Sequence, residues 1–273
     1  MTVGIAALAA NGQAFVLCAD RQHTTKYDVR HEGRIAKKRE LAYGWRFLLE
    51  DNATRADEVE DAILERFPPV GEDRETPMTF REMLKVTRSA FLDVRKATME
   101  SGVLEDDPDK EFDLGLLLVG FDENNEARGV RIFENGDYED IRHIGYGAVG
   151  SGGEAAEATL AHYRVPMDDP LERVLYKVYE AKRRADRLVS SVGETTDMWI
   201  VTSNSERQRL RHQTMQFDEG GTVEVPKFIK DTMSEVFDWI ASPPWGRKLE
   251  PTVWASTLAR YAQEVMDGKC PRY

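Results

Sequence analysis

The feature that most constrains this chain is a pair of apolar strands at its start. Residues 3–8 and 14–19 are predicted strands, and Asn11-Gly12 between them is typical of a type I′ hairpin turn. The second strand is almost entirely apolar, so both of its faces must be covered by other parts of the protein. The hairpin therefore predicts a sheet that lies between further layers of structure.

The later strands and helices follow in blocks rather than in alternation. Further strands are predicted at residues 33–37, 41–49, 114–121, 127–133, 141–149 and 198–202, with one or two more within 208–223. Helices are predicted to begin at 51–52, at a Thr79–Glu82 capping box, after a glycine-rich turn at 150–153 and at Asp169-Pro170. Blocks of strands and helix pairs favour an α+β fold, in which two antiparallel sheets pack face to face between the helix pairs.

The expected organisation is one domain with an appendage. The domain covers residues 1–225, and residues 226–273 form a helical extension that packs on it, with predicted helices at 227–241 and 252–267. The tail is too small to fold alone, and the sequence has no internal repeat or low-complexity tract.

Composition and charge exclude several classes of function. The net charge of -12 argues against a protein that binds nucleic-acid backbones. No apolar run approaches the ~20 residues of a membrane span, so no membrane contact is expected. Cys18 and Cys270 lack the spacing of a metal or redox pair, which fits a reduced, cytoplasmic setting. We expect no cofactor and no metal, because no cluster of potential ligands has the required spacing.

Four segments of the sequence carry a resemblance to a known family. They are TVGIAALAANGQAFVLCADRQHT, IAKKRE, GYGAVGSGGEAAEATL and ADRLVSSVGETTDMWIV, and they span residues 2–203. In this order they resemble proteasome β-type subunits, which are N-terminal-nucleophile (Ntn) hydrolases. They also resemble the bacterial relatives of those subunits, the peptidase subunit of the two-component heat-shock protease and the Anbu-like proteins. The resemblance implies a four-layer αββα sandwich.

The resemblance implies a threonine nucleophile at the start of the mature chain. Thr2 follows Met1 directly, and removal of the methionine would expose an α-amine that can act as the base for the threonine hydroxyl. The family pattern makes Asp20 a buried carboxylate that holds a lysine ammonium near the nucleophile. Lys37 and Lys38 both match that lysine; strand alternation sends one of them inward, and similarity to the heat-shock peptidase favours Lys38.

Three further residues match family positions near the nucleophile. Ser151, in the glycine-rich turn, matches a serine beside the threonine amine. Asp186 and Ser191 match an aspartate and a serine at the end of the later helix, where the spacing leaves Ser190 as an alternative. Asp186 could equally be a surface residue among the neighbouring arginines.

One departure from the family pattern concerns the oxyanion site. Active members end the fourth strand in a small, glycine-containing segment whose backbone N–H stabilises the tetrahedral oxyanion. Here Glu50 and Asp51 follow that strand, and carboxylates oppose a developing negative charge.

Three functions follow from these patterns. The first is a threonine-type peptidase that cleaves peptides or unfolded proteins and assembles into a homo-oligomeric ring or spiral, with an ATPase unfoldase as a possible partner. The second is a catalytically silent structural subunit with the same fold. The third is a small-molecule Ntn amidohydrolase. Removal of Met1 and reactivity of Thr2 distinguish the second function from the others.

Overall fold

The chain folds into antiparallel sheets and helices, an α+β fold. The computed structural model describes residues 3–20, 22–24, 30–32, 38–41, 45–49, 53–66, 79–100, 115–163, 165, 167–190, 192–193, 195–203 and 222–225. The predicted helical extension at 226–273 lies outside these residues. Among the helices that the structure describes, none is long and apolar enough to cross a membrane.

The strands and helices keep the blocked order that the sequence predicts. The strands are β1 (Gly4–Ala9), β2 (Ala14–Asp20), β3 (Gln22–Thr24), β4 (Arg30–Glu32), β5 (Lys38–Glu40), β6 (Arg46–Leu49), β7 (Leu116–Phe121), β8 (Ala127–Ile132), β9 (Tyr138–Asp140), β10 (Tyr146–Val149), β11 (Thr196–Thr202) and β12 (Thr222–Glu224). The helices are α1 (Ala53–Arg66), α2 (Phe80–Glu100), α3 (Gly153–Tyr163) and α4 (Leu171–Leu188).

The first sheet is built around the N-terminal hairpin and has the strand order β10-β1-β2-β11-β12. β1 pairs with β2 from Gly4 opposite Ala19 to Ala9 opposite Ala14. Asn11 and Gly12 both have positive φ angles, of 57° and 74°, as a type I′ turn requires. The predicted hairpin is therefore confirmed, and every residue of both strands is buried.

The second sheet has the order β5-β6-β7-β8-β9, and β3 and β4 pair separately as a short hairpin. In this sheet Lys38 of β5 lies directly opposite Leu48 of β6. Leu48 faces the first sheet, since its Cβ lies 3.2 Å from the place where a Cβ on Gly4 would stand. Residue 38 is thus paired with the residue of β6 that approaches the start of β1.

Three apolar clusters account for the packing of the described strands and helices. The cluster between the two sheets includes Leu17 of β2, Leu48 of β6 and Leu117 of β7. A second cluster joins the other face of the first sheet to α3 and α4, and a third joins the second sheet to α1 and α2. Burial of β2 on both faces explains why its sequence is apolar throughout.

The capping box at the start of α2 is formed as predicted. The Thr79 backbone N–H donates to Glu82 Oε2 at 3.0 Å, and the Glu82 N–H donates to Thr79 Oγ1 at 3.3 Å. These reciprocal bonds satisfy backbone groups that the first turn of a helix leaves without partners. The sequence alone was sufficient to predict this helix start, because the contacts of the capping box join residues only three positions apart.

The strand predicted at 141–149 is divided in the structure. Residues Ile141–His143 form a 3-10 turn, and the Arg142 N–H donates to Asp140 Oδ1 at 2.9 Å. Gly145 then adopts a φ of 89°. The break lets the chain leave the second sheet at β9 and enter the first sheet at β10, a change of sheet that local apolar patterning does not reveal.

Candidate active site

The centre of the candidate site is the carboxylate of Asp20, at the end of β2. Its Oδ1 accepts the Val3 backbone N–H at 3.1 Å, and its Oδ2 accepts the Gly193 N–H at 2.8 Å. Asp20 is fully buried. Backbone bonds to a charged carboxylate are stronger than bonds between neutral groups, so Asp20 ties the start of β1 to the segment that follows α4.

The glycine-rich turn before α3 lies against the same point. The turn is closed by the Gly153 N–H, which donates to the Gly150 carbonyl at 2.7 Å. A Cβ on Gly152 would lie 2.7 Å from Val192 Cγ2, 3.1 Å from Val3 Cβ and 3.3 Å from Ala185 Cβ. Only a residue without a side chain fits here without displacing its neighbours. Ser151 precedes this contact and is exposed.

We expect Gly152→Ala to lower the free energy of unfolding by about 1–3 kcal/mol, because the added methyl group must push apart three packed segments. Gly153→Ala is the matched control, since a Cβ there would meet neighbouring atoms only at 3.6 Å or more. Urea unfolding of both variants measures the difference. Equal stability of the two variants would contradict the close packing at Gly152.

The structure brings to Asp20 a residue that the sequence analysis missed, Lys182 of α4. Lys182 is fully buried, and its Nζ donates to the Gly193 carbonyl at 2.5 Å. A signal for it exists in the sequence. Lys182 is four residues after Val178 and three before Ala185, which are both on the buried face of the helix. A lysine in a run of charged residues is easily taken for a solvated one.

Burial lowers the pKa of the Lys182 ammonium, because an apolar environment disfavours the charged form. Asp186, Cys18 and Asp20 act in the opposite direction by stabilising the positive charge. The Lys182 Nζ lies 3.5 Å from Asp186 Oδ2. The ammonium therefore sits among negatively charged and titratable groups of β2 and α4.

Asp186 itself lies at the C-terminal end of α4, with its side chain only 10% exposed. Besides Lys182 it contacts Arg183, whose Nη1 lies 3.2 Å from the Asp186 Oδ2. Asp186 is thus part of a buried charge cluster and is linked to Asp20 through Lys182 and Gly193.

The other predicted site residues are described in part or not at all. Thr2, Lys37 and Ser191 lie outside the described residues, as do Glu50 and Asp51 of the predicted oxyanion segment. For Lys38 the structure gives the strand position opposite Leu48, and Ser190 is exposed at the end of α4. Within the part of the chain that is described, no three His, Cys, Asp or Glu residues are grouped to hold a metal ion.

Comparison with known proteins relates this fold to a particular group of solved structures. Anbu (ancestral beta-subunit) from Yersinia bercovieri superimposes with a TM-score of 0.64 at 15% sequence identity, covering 91% of this chain and 100% of that one. Anbu from Hyphomicrobium sp. strain MC1 gives a TM-score of 0.62 at 14% identity, covering 99% of each chain. Its Gly-1 mutant gives 0.62 at 13% identity, covering 100% of this chain and 99% of the other.

The similarity lies in the fold rather than in the sequence. No family model matches the sequence, and no curated protein matches it. The superpositions with Anbu nevertheless cover nearly the whole of each chain. The chain therefore has a proteasome-like fold, as the resemblance in the sequence led us to expect.

Proposed function

We propose that this protein is a threonine-type peptidase that hydrolyses peptide bonds through Thr2 after removal of Met1. The observation that supports this most strongly is the bond from the Val3 N–H to the buried Asp20 carboxylate. Val3 follows Thr2 directly in the sequence, so this bond supports a role for Asp20 beside the proposed nucleophile. The Anbu-like fold supports the same assignment.

In the proposed reaction, the α-amine of Thr2 takes the proton of its own hydroxyl group. The hydroxyl oxygen attacks the substrate carbonyl carbon, and the amine that leaves receives the proton. Water then hydrolyses the threonine ester, releasing the second product and restoring the hydroxyl. Asp20 fixes the start of β1, and Ser151 lies in the turn next to Val3. We assign Asp186, near the end of α4, and Ser191 to the same site.

The lysine that acts with Asp20 in this proposal is Lys38 rather than Lys37. Residue 38 pairs with Leu48, and Leu48 approaches Gly4 near the start of β1. Alternate residues of a strand face opposite sides of the sheet, so only one residue of the pair can belong to this site. The register supports residue 38 for that role.

The proposal includes an assembly and a cellular setting. The three apolar clusters support a four-layer αββα sandwich with the helix pairs outside. On that scaffold we propose a homo-oligomeric ring or spiral in the cytoplasm, with peptides or unfolded proteins as substrates and an ATPase unfoldase as a candidate partner. Residues 226–273 would form the helical extension on the same domain.

The test is intact mass and N-terminal sequencing of the purified chain, before and after reaction with a peptide epoxyketone. We expect the chain to begin at Thr2 and to gain the mass of one probe molecule, because the free hydroxyl and amine of an N-terminal threonine react together with this group. A chain that retains Met1, or a free Thr2 that never reacts, would overturn the proposal.

A second candidate function is that of a catalytically silent structural subunit. The observation in its favour is the Glu50-Asp51 pair, whose carboxylates would oppose an oxyanion at this point. This candidate predicts a stable assembly that does not react with the epoxyketone. Because this candidate attributes the silence to these carboxylates, replacing one of them, as in Glu50→Gly, should raise reactivity toward the epoxyketone.

A further inference from the structure

Lys182 needs a physical explanation, because lysine is almost never fully buried unless its charge is paired. The arginines that follow it, Arg183 and Arg184, keep part of their side chains in solvent, with exposures of 20% and 45%. The side chain of Lys182, in contrast, is completely buried. Desolvation of an ammonium is costly, so the contacts at its Nζ must be favourable and specific.

Those contacts come from two directions. The Nζ donates to the Gly193 carbonyl at 2.5 Å and lies 3.5 Å from Asp186 Oδ2. Among the residues that the structure describes, Cys18 and Asp20 of β2 and Arg183 of α4 also act on its charge. The ammonium therefore lies between the end of α4 and the face of the first sheet, on the side where Asp20 ends β2.

Gly193 connects Lys182 to Asp20. Its carbonyl accepts from Lys182, and its own N–H donates to Asp20 Oδ2 at 2.8 Å. The second carboxylate oxygen of Asp20 accepts the Val3 N–H at 3.1 Å. A continuous series of contacts thus runs from α4 through Gly193 to the first strand. Displacing Gly193 would leave one oxygen of the buried carboxylate without this donor.

We propose that Lys182 is a positioning residue, which holds Gly193 so that the Gly193 N–H fixes the Asp20 carboxylate against the start of β1. Its effect on Thr2 rests on the proposed function; its effect on Gly193 and Val3 does not. Lys182 and the Asp20 carboxylate also attract each other, since their charges are opposite.

The same helix provides a matched control in Lys177. Its side chain is 12% exposed and forms an ion pair with Asp169, and its Nζ lies 3.4 Å from the Tyr163 carbonyl. Lys177 thus joins α4 to the segment that precedes it and to the end of α3. Both lysines are largely buried and paired with an aspartate, but these contacts of Lys177 lie away from Gly193, toward the start of the helix.

The experiment compares Lys182→Met with Lys177→Met in the full chain. Amide hydrogen exchange, read by mass spectrometry, is measured for peptides covering 3–8 and 192–197, with β7 as an internal reference. We expect Lys182→Met to speed exchange at the first two segments by about 10-fold relative to β7, because a local opening of ~1.4 kcal/mol corresponds to that factor. Lys177→Met should leave this ratio unchanged.

A second readout follows epoxyketone addition to Thr2 as a function of pH. We expect Lys182→Met to slow addition by about 100-fold, since small displacements of a reacting group have effects of this size. The acid limb of the profile should move to higher pH by about one unit, because loss of a nearby positive charge favours the protonated amine. The profile of Lys177→Met should keep the wild-type shape.

The outcomes separate this proposal from the function on which it builds. Faster exchange confined to 3–8 and 192–197 in Lys182→Met supports the positioning role, whether or not wild-type Thr2 reacts with the probe. An unreactive wild-type Thr2 overturns only the proposed peptidase activity. Unchanged exchange at 3–8 and 192–197 overturns the positioning role, whatever the activity. If Lys182→Met fails to fold, the double variant Lys182→Met/Asp186→Asn is used instead, because it removes both charges of the ion pair. This variant should show the same faster exchange at 3–8 and 192–197. Unchanged exchange in it would reject the positioning role.

Discussion

Replacing Thr2 by alanine is expected to abolish epoxyketone addition, lowering its rate by at least about 1,000-fold. The substitution removes the hydroxyl oxygen that attacks the probe and keeps the free α-amine, because methionine is removed before a small residue of either kind. The free energy of unfolding should change by less than ~1 kcal/mol, since Val3 keeps its bond to Asp20. Intact mass measures the addition, and urea unfolding measures the stability.

Thr2→Ser is the control for this substitution. Serine restores a hydroxyl group on the same atom, so the variant should gain one probe molecule, at a reduced rate. Addition of the probe to Thr2→Ala would show that another nucleophile reacts. A Thr2→Ser chain that has lost Met1 and stays unreactive, beside a reactive wild type, would show that the hydroxyl group alone is insufficient.

Asp20→Asn is expected to reduce both stability and reactivity. The new amide group donates hydrogen bonds, whereas both carboxylate oxygens accept backbone N–H groups, from Val3 and Gly193. One buried N–H must therefore lose its acceptor, and Lys182 loses a nearby negative charge. We expect the free energy of unfolding to fall by about 3 kcal/mol and probe addition to slow by at least about 100-fold.

Asp122→Asn provides the matched control, at a turn of the second sheet. Asp122 is also a buried carboxylate, and its Oδ1 accepts the backbone N–H groups of Asn124 and Glu126, each at 2.9 Å. Its Oδ2 accepts a hydrogen bond from Arg128 Nε at 2.5 Å, so an amide group at this place would face that donor and lose the ion pair. We therefore expect Asp122→Asn to lower stability as well, without slowing probe addition. Equal slowing in both variants would indicate that Asp20 acts only through general stability.

Much of the fold was predictable because the relevant interactions are local. The hairpin at Asn11-Gly12 depends on two residues that tolerate positive φ, and the start of α2 depends on side chains three residues apart. The blocked order of elements predicted the α+β fold that the structure shows. The sequence resemblance to Anbu-like proteins agrees with the fold shared with Anbu.

The candidate site was predicted less completely, because its contacts join distant parts of the chain. Asp20 was predicted to be a buried carboxylate, and the structure shows it buried, but its neighbours Lys182 and Gly193 were not predicted. The Gly193 N–H and the Asp20 carboxylate are separated by 173 positions in the sequence. The predicted site roles all stay predictions for the experiments above; they belong to Thr2, Asp20, Lys37, Lys38, Ser151, Asp186 and Ser191.

By itself, the sequence determined many of the local elements: the N-terminal hairpin, where the helices begin, and that β2 must be covered on both faces. Those properties follow from backbone conformation, capping and apolar patterning, which act over a few residues. Only the tertiary structure decided which charged residues became buried partners. Lys182 is one of several basic residues on α4, and the packing of that helix on the first sheet placed it beside Gly193 and Asp20. There the cost of burying an ammonium is offset by Asp186 of the same helix together with groups brought from elsewhere in the chain.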